Sequence, residues 1–512
     1  MKNSEERKAV RHIALLLAFP GRIKGFFGKI NSRMEGKYSP SFLALAVTAI
    51  TALTASIILF LPNYMGVAND GSTDDIMRSS GIYYMDEEPE DIYSNYFIKT
   101  YSKVPSDGEL PGQTLNSQVI LIRLAKGLDD LFTRDSYFDI RFLGLLYLVL
   151  YLPAVYLVVG QACQRVKRFS EGVFISAAGL IIFSDVGYIL YFNSFYPEAV
   201  WLITMLYCAG ASMTFQKKRS GYGDLLSLLL FLAAGLVLVS SRRQCTVIGF
   251  LFAIYLIRLI FVRRNWMWGA CCVSAAFLMS LLAIVCIFVY PSDFNETSRF
   301  HAMTRGVLFE SSDPADTLGE FEIDPSYELL ADASAYDYLP LVKSGDTSLY
   351  HGFMDKYTIQ DITVYYLRHP GSLLGMIDVS IRAGMDVRRS NCGNYEKSAG
   401  LPMKARTLFW SGWSSFKMTS APRTVGYLFL LTGAVFLLFY KGYSIRPAEE
   451  RRNTIYLDML LTVLAILLSQ SVVVIVNSGD AEMVQRMFLV GLSIDIMTYC
   501  VFTELLHKIK IV

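Results

Sequence analysis

Residues 267–290 read MWGACCVSAAFLMSLLAIVCIFVY, an uninterrupted run of 24 residues without a charged side chain. With a rise of 1.5 Å per residue, a helix of this length extends about 36 Å, enough to cross ~30 Å of hydrocarbon. Other runs of about 17–24 mainly apolar residues occur at 42–62, 141–160, 173–192, 199–215, 224–240, 246–262, 424–440, 455–476 and 487–506. The sequence therefore predicts an all-α polytopic membrane protein with about ten transmembrane helices.

Composition and charge narrow the class of protein. The 512 residues are 53% hydrophobic with a mean hydropathy of +0.38, and the net charge is only +2. Such a balance provides no basic excess for nucleic acid, so no nucleic-acid partner is expected. Seven of the eight cysteines lie in or beside apolar runs, and Cys392 alone lies well inside a polar segment. Neither a disulfide framework nor a zinc site is expected from this pattern.

The placement of lysine and arginine predicts the orientation in the membrane. Basic residues are frequent before the first run and then recur in alternate short loops and at the C-terminus. Those later residues are Arg165, Lys167, Arg168, Lys217, Lys218, Arg219, Arg263, Arg264, Lys441, Arg446, Arg451, Arg452, Lys508 and Lys510. Because cytoplasmic loops are enriched in lysine and arginine, we expect a multi-pass plasma-membrane protein with both termini in the cytoplasm.

This topology divides the chain into four parts. Residues 1–41 form a basic, amphipathic cytoplasmic tail that is expected to lie on the membrane surface. Residues 42–290 contain the first seven spans and a long exterior loop at 63–140. Residues 291–423 form an extracytoplasmic segment with helical pieces, and 424–512 contain the last three spans and a short cytoplasmic tail.

The exterior loop after the first span carries three candidate catalytic carboxylates, Asp70, Asp74 and Asp75. A carboxylate held just outside the bilayer is well placed to act as a general base or to bind a divalent cation. The alternative is a solvated acidic loop without a catalytic role. The sequence leaves open which of these carboxylates acts.

A second group of polar residues surrounds the predicted turn at 193–198. Asp185 lies in the outer half of the preceding run, and Tyr196 and Glu198 lie in the turn itself. Ionisable residues at membrane depth usually face a bundle interior or a wet cavity, so we expect these side chains to bind the acceptor or the sugar. Glu198 equally fits a carboxylate that stabilises a helix N-terminus.

Two arginines in a short exterior turn run against the positive-inside pattern. These are Arg242 and Arg243, followed by Gln244. Because the guanidinium fork makes paired, charge-assisted hydrogen bonds to phosphate, we expect this turn, with Arg486, to bind a lipid-linked phosphate. Ordinary contact with lipid headgroups is the alternative.

The last exterior turn holds Asp480 and Glu482, followed by Arg486. The two carboxylates are candidates for binding acceptor hydroxyls. A helical pair between Glu482 and Arg486 explains the same residues without a ligand. Taken together, the four exterior elements place carboxylates and guanidinium groups at one membrane face, as transfer from a phosphate-activated lipid requires.

Several stretches carry a resemblance to a known family. They are GVANDG at 66–71, RGVL at 305–308 with SDP at 312–314, RHPG at 368–371, GNYEKSAG at 393–400 and the Gly479-Asp480 turn. With the order of spans and exterior segments, they resemble the C-type (GT-C) membrane glycosyltransferases, and more specifically the bacterial WsfD-type hexose transferases of cell-surface glycan synthesis. The similarity extends over most of the chain.

The resemblance implies a GT-C-like fold and inverting transfer of a hexose from a polyprenyl-phosphate donor to an extracytoplasmic glycan. It implies that Asp70 is the base, with Asp74 and Asp75 as alternatives because Ser72 and Thr73 depart from the expected loop. It also implies that Arg242 and Arg243 hold the donor phosphate. Whether Mg²⁺ or Mn²⁺ is needed stays open.

The main alternative is a transporter or flippase of a lipid-linked sugar. Asp185, Asp458 and Asp495 are the carboxylates that would line its path through the membrane. No internal repeat and no pair of Gly/Pro-broken spans indicates such a path, and transport does not require the long segment 291–423. An acyltransferase is not favoured, because none of the five histidines lies inside a predicted span.

Overall fold

The computed structural model describes residues 25, 27–34, 39–85, 89–105, 112–166, 168–216, 220–290, 295–335, 347–390, 392–440, 451–481 and 483–509. Most of the predicted basic tail at 1–41 and the candidate residue Glu482 lie outside these residues. The prediction for the tail therefore stays a prediction.

Helices form nearly all of the regular structure. In chain order they are α1 (Pro40–Phe60), α2 (Asp74–Ser79), α3 (Pro89–Ile92), α4 (Ser117–Phe132), α5 (Arg141–Cys163), α6 (Phe169–Phe183), α7 (Val186–Ile189), α8 (Glu198–Thr214), α9 (Gly221–Val239), α10 (Thr246–Arg258), α11 (Trp266–Val289), α12 (Glu296–Ala302), α13 (Pro314–Gly319), α14 (Thr347–Gly352), α15 (Ile359–Arg368), α16 (Pro370–Met385), α17 (Gly412–Thr419), α18 (Val425–Phe439), α19 (Ile455–Ser478), α20 (Met483–Arg486) and α21 (Phe488–Ile509).

Shorter elements connect these helices. The 3-10 turns are Leu190–Asn193, Arg243–Cys245, Leu259–Val262, Pro325–Leu330, Met354–Lys356, Lys397–Ala399 and Arg451–Thr454, and Met303–Val307 is a π-turn. Strands β1 (Thr100–Ser102) and β2 (Tyr137–Asp139) pair antiparallel, with Thr100 opposite Asp139. This small sheet lies in the long loop between α1 and α5, directly before α5.

All ten predicted runs are helical, and the prediction of an all-α polytopic membrane protein is confirmed. Within the described residues, however, seven helices are long and apolar enough to cross a membrane, or eight when a bent pair counts as one. The bent pair is α6 with α7 and its following turn, which meet at 44°. Its break falls at Asp185, whose carboxylate accepts the N–H of Gly187 and so begins a new helix.

Two more runs fall short of a full span. Helix α18 has 15 residues, and α8 has 17 residues that are all buried except Tyr207. A helix that is buried on every side belongs to the core of a bundle. The sequence predicted about ten transmembrane helices; among the described residues, length and composition identify seven or eight of them as span-capable, with α8 and α18 as shorter apolar helices.

Helices α16 and α21 are in close contact. This contact sets the position of the residues that follow α16. The backbone of Gly384 lies against that of Gly491, and a β-carbon on Gly491 would overlap the carbonyl oxygen of Gly384. Only glycine at this point allows the two backbones to meet.

Replacing Gly491 by Ala is therefore expected to destabilise the protein by about 1–3 kcal/mol, because the overlap forces the backbones apart. Thermal unfolding of purified protein in detergent measures the effect. Gly433→Ala in α18 is the matched control, since nothing lies within 4 Å of a β-carbon there. An equal melting temperature for the two variants would contradict the close approach.

The two long segments that the sequence predicts to be exterior are joined by backbone hydrogen bonds. The N–H of Gly66 donates to the carbonyl of Asn394 at 3.0 Å, and the N–H of Ala68 donates to that of Gly393 at 2.9 Å. Gly66 has no room for a side chain, because a β-carbon would overlap Phe97 and the carbonyl oxygen of Asn193. This pairing brings the loop after α1 against the chain that follows α16.

Candidate active site

Asp70 is fixed in place by a buried tyrosine. The hydroxyl of Tyr196 accepts the backbone N–H of Asp70 at 2.9 Å and donates to the carbonyl of Ala68 at 3.1 Å. Tyr196 lies in the turn that begins α8, the central helix of the bundle. The backbone that carries Asp70 therefore rests on the core of the protein.

A single arginine joins two of the predicted site residues. Nη1 of Arg389 lies 2.6 Å from Oδ2 of Asp70, and Nη2 lies 3.0 Å from Oε1 of Glu198. The guanidinium also stacks over the ring of Tyr196, 3.9 Å from its centroid. Arg389 and Glu198 are 6% and 1% exposed. The structure thus brings Asp70, Tyr196 and Glu198 together around Arg389.

The carboxylate of Asp70 has further partners that favour its charged form. Nε2 of Gln485 donates to Oδ2 at 2.6 Å, and the N–H and hydroxyl of Ser72 donate to Oδ1 at 3.0 and 2.6 Å. Burial alone would raise the pKa of Asp70, but Arg389 and the Ser72 hydrogen bonds outweigh it and hold the pKa below 3.8. Asp70 is therefore ionised at neutral pH.

Asp74 and Asp75 lie on α2 and have other surroundings. Asp74 accepts hydrogen bonds from Asn69 at 2.7 Å, Tyr84 at 3.1 Å and Tyr93 at 3.0 Å. Asp75 is exposed and accepts the hydroxyl of Thr114. The neighbours of these two carboxylates are neutral hydroxyl and amide groups, whereas Asp70 faces a cation.

The turn with the two predicted arginines contacts the backbone of Arg486, the residue after Gln485. Nη1 of Arg243 donates to the carbonyl of Tyr290 at 2.5 Å, and Nε2 of Gln244 donates to that of Arg486 at 3.4 Å. Arg242 interacts electrostatically with Glu198. Nη1 of Arg486 donates to Ser478 at 3.3 Å. The turn therefore adjoins the Asp70 site, although Arg243 and Arg486 are used within the protein.

A cleft of about 680 Å³ opens next to Asp70, and of its lining residues only Asp480 was selected from the sequence. Its arginines, which together define the arginine cleft, are Arg382, Arg388, Arg389, Arg406 and Arg423. Asp386, Asp480 and Gln485 also line it. Five guanidinium groups against two carboxylates make it a site for an anion.

Within the arginine cleft, Arg388 and Arg406 differ from Arg382 and Arg423 in the groups to which they donate hydrogen bonds. Arg423 pairs with Asp386 at 2.7 Å, and Arg382 pairs with Asp378 at 3.1 Å. Arg388 instead donates to the carbonyl of Thr407 at 2.6 Å.

Arg406 donates to the carbonyl of Arg389 at 2.7 Å. Among the described residues neither Arg388 nor Arg406 has a carboxylate within ion-pair distance. Burial lowers the pKa of Arg388, and the charge of Arg406 adds to this effect, whereas the nearby carboxylate of Asp185 opposes it. Two neighbouring cations without a carboxylate in ion-pair contact favour an anionic ligand.

The sequence did contain a signal for this cleft. Arg388, Arg389 and Arg406 are basic residues in a predicted exterior segment, and they run against the positive-inside pattern just as Arg242 and Arg243 do. In a long segment this signal is weak, because the positive-inside rule applies mainly to short loops.

Two other predicted site residues serve the fold in this structure. Asp185 accepts backbone N–H groups from Gly187, Trp413 and Ser414 at 2.7–2.9 Å, and so caps both α7 and α17. Asp480 lines the arginine cleft and pairs with Arg305 at 2.7 Å. Burial raises the pKa of Asp480, and Arg305 opposes this effect.

The described residues do not fit a conventional divalent-metal site. No group of three or more His, Cys, Asp or Glu side chains among them could hold a metal ion. Ca²⁺ takes six to eight oxygen ligands, whereas octahedral Mg²⁺ keeps several waters and needs one or two protein carboxylates. At the point where Asp70 and Glu198 converge, the guanidinium of Arg389 lies between them.

A buried ion pair anchors α17, which leads from the arginine cleft toward α18. Nζ of Lys417 lies 3.0 Å from Oδ1 of Asp495 in α21, and the two side chains are 1% and 0% exposed. Oδ2 of Asp495 also accepts Nε1 of Trp413 at 3.0 Å and the hydroxyl of Tyr188. Asp495, one of the carboxylates named for the transporter hypothesis, is thus surrounded by hydrogen-bond donors of the protein.

Replacing Lys417 by Met is expected to cost about 3–5 kcal/mol, because it leaves the charge of Asp495 buried and uncompensated. Unfolding in detergent measures the loss. The double variant Lys417→Met/Asp495→Asn is expected to recover part of the stability, since it removes both charges. A double variant less stable than the single one would contradict this account.

Comparison with known proteins identifies one family. Residues 28–512 match the family model described as the YfdI N-terminal transmembrane domain. No curated protein matches the sequence. Among solved structures, one similar chain is the archaeal oligosaccharyltransferase AglB from Archaeoglobus fulgidus, in complex with an inhibitory peptide and a dolichol-phosphate. The identity is 12% and the TM-score 0.36, and the match covers 89% of this chain and 50% of that one.

Proposed function

Since the chain belongs to the YfdI N-terminal transmembrane domain family, we propose that it is a membrane-embedded glycosyltransferase. The reaction is transfer of a hexose from a polyprenyl-phosphate donor to an acceptor hydroxyl of a cell-surface glycan, outside the cytoplasm and with inversion. The observation that carries this proposal is the arginine cleft beside Asp70, which combines an anion site with an ionised carboxylate. The resemblance to the C-type glycosyltransferases supports the same reaction.

Asp70 and the arginines of the cleft have different roles in the proposed reaction. The acceptor oxygen forms a bond to the anomeric carbon while the bond from that carbon to the phosphate oxygen breaks. Asp70 takes the acceptor's proton, and the lipid phosphate departs with the bonding electron pair. Because negative charge develops on the phosphate, fixed guanidinium groups stabilise the transition state more than the ground state.

We assign the phosphate to Arg388 and Arg406 because, among the described residues, neither has a carboxylate within ion-pair distance. Arg242, Arg243, Gln244 and Arg486 adjoin the site and are proposed to support it. Glu198 and Tyr196 act through Arg389, and Asp480 provides a carboxylate at the wall of the cleft for an acceptor hydroxyl.

The proposed orientation rests on charge at the opposite end of the bundle. There Asp224 pairs with Arg263 at 2.5 Å and with Arg452 at 2.9 Å. Arg165 and Glu504 pair at 2.6 Å. Because the short loops at this end carry the basic residues that the positive-inside rule places in the cytoplasm, we propose that the arginine cleft and Asp70 lie at the extracytoplasmic face.

A reconstituted transfer assay tests the proposal. Purified protein in proteoliposomes would receive radiolabelled polyprenyl-phosphate hexoses and a cell-envelope acceptor fraction. Label in the glycan, linked by a new glycosidic bond, is the expected result. Movement of the labelled lipid across the bilayer without a new bond would overturn the proposal in favour of a flippase.

A further inference from the structure

Arg389 contacts two carboxylates, so one positively charged group lies between two acidic side chains. One guanidinium serves Asp70 through Nη1 and Glu198 through Nη2, and all three side chains are nearly buried. Two buried carboxylates that lie this close to one another cannot both stay ionised without a cation, since one would take up a proton. Arg389 supplies the cation that contacts both carboxylates, and Arg242 adds its charge near Glu198.

The position of Arg389 is fixed from several sides. Its guanidinium lies over the face of Tyr196, and its carbonyl oxygen accepts Nη1 of Arg406 at 2.7 Å. The planar fork keeps its donors at a set angle, so each carboxylate meets an N–H in a defined direction. A bridging metal ion would impose the same kind of order on the two carboxylates.

We propose that Arg389 is a built-in cation that takes the place of a divalent metal between Asp70 and Glu198, and that it positions Asp70 for transfer without a metal. The role of Asp70 as base rests on the proposed function, whereas the bridge itself rests on the contacts. Arg389 is a positioning residue, since it acts through the two carboxylates.

The donor set explains why a metal and Arg389 exclude each other. Oδ2 of Asp70 already accepts both Arg389 and Gln485, and Oδ1 accepts Ser72. Among the described residues, Oε2 of Glu198 is buried without a hydrogen-bond partner, which leaves one carboxylate oxygen at this point. A divalent ion beside the guanidinium would meet strong repulsion in this buried setting. Removing the guanidinium takes away the cation between the two carboxylates and opens the volume that it fills, so a divalent ion can take its place.

Binding of Mn²⁺ tests the inference independently of catalysis. Electron paramagnetic resonance of the full chain in detergent would be recorded with added Mn²⁺ for the wild type, Arg389→Ala, Arg389→Ala/Glu198→Gln and Arg368→Ala. We expect no stoichiometric Mn²⁺ in the wild type or in Arg368→Ala, an exposed control on α15. Arg389→Ala is expected to gain a bound ion and the double variant to lose it.

The transfer assay provides a second test of the role of Arg389. Wild-type transfer is expected to be unchanged by EDTA, and Arg389→Lys is expected to keep more activity than Arg389→Ala, because lysine retains the charge. Bound Mn²⁺ in the wild type that disappears in Asp70→Asn would overturn the inference, as would EDTA-sensitive transfer restored by Mn²⁺. The wild-type measurements decide the matter even if Arg389→Ala does not fold.

The two proposals fail in distinguishable ways. Absence of transfer by the wild type with every donor, together with the expected Mn²⁺ pattern, removes the glycosyltransferase proposal and leaves the bridge. Transfer that requires Mn²⁺ removes the bridge and leaves the glycosyltransferase.

Discussion

Asp70→Asn is expected to lower the rate of glycosyl transfer roughly 10²- to 10⁴-fold, the usual contribution of a general base. Asparagine has nearly the same shape and still offers a carbonyl oxygen to Gln485 or Arg389, but it cannot accept the acceptor's proton. Initial rates with a polyprenyl-phosphate hexose measure the loss, and the melting temperature in detergent reports whether the variant folds.

Matched controls come from the same loop. Asp74→Asn and Asp75→Asn remove the other two candidate carboxylates, whose partners are neutral groups. We expect each to retain activity within about tenfold of the wild type, less than the loss expected for removal of a base. A large loss in either one, alongside an active Asp70→Asn, would assign the base to α2 instead.

The dependence of the rate on pH follows from the lowered pKa of Asp70. The carboxylate must be ionised to act as a base, so activity is lost as the pH falls through its pKa. Because Arg389 and Ser72 hold that pKa below 3.8, the acid limb of the profile of kcat/KM is expected below pH 3.8. An acid limb near neutral pH would show that another group limits the rate.

Arg388→Ala and Arg406→Ala are each expected to lower kcat/KM for the lipid donor about 10- to 100-fold. A hydrogen bond to a charged group contributes about 1.5–3 kcal/mol. Each variant removes one of the two guanidinium groups that are proposed to bind the donor phosphate. Transfer rates at varied donor concentration measure the effect.

Arg368→Ala is the control for loss of an exterior arginine outside the cleft, and a change of less than about twofold is expected for an exposed surface residue. Because Arg388 and Arg406 are neighbours, the double variant is expected to lose less than the product of the two single losses. Equal activity of Arg388→Ala, Arg406→Ala and Arg368→Ala would mean that the cleft does not bind the donor.

Only part of the candidate site was predictable from the sequence, because some of its residues lie far apart in the chain. Asp70, Tyr196 and Glu198 were selected because each is a polar residue beside a membrane-spanning run, a local feature. Arg389 and Gln485 were not selected, although they contact Asp70 across 319 and 415 residues of sequence. No spacing in the sequence records such a contact, and an arginine within a long exterior segment resembles any other.

Some polar residues that were predicted to bind ligands have partners within the fold. Asp185 was selected as a carboxylate at membrane depth, and the structure uses it to cap two helices. Asp495 and Lys417 are deeply buried and pair with each other. A sequence shows that such a group needs a partner, but it does not show whether a ligand or another side chain meets that need.

By itself the sequence determined the class of structure. Long uncharged runs can satisfy their backbone groups in lipid only as helices, so an all-α membrane protein followed from the runs alone. The tertiary structure decided which helices are complete spans, since burial of α8 and the bend at Asp185 depend on neighbours. It also decided the site, because hydrogen bonds between distant loops bring Asp70 to Arg389, and such contacts form only when the chain has folded.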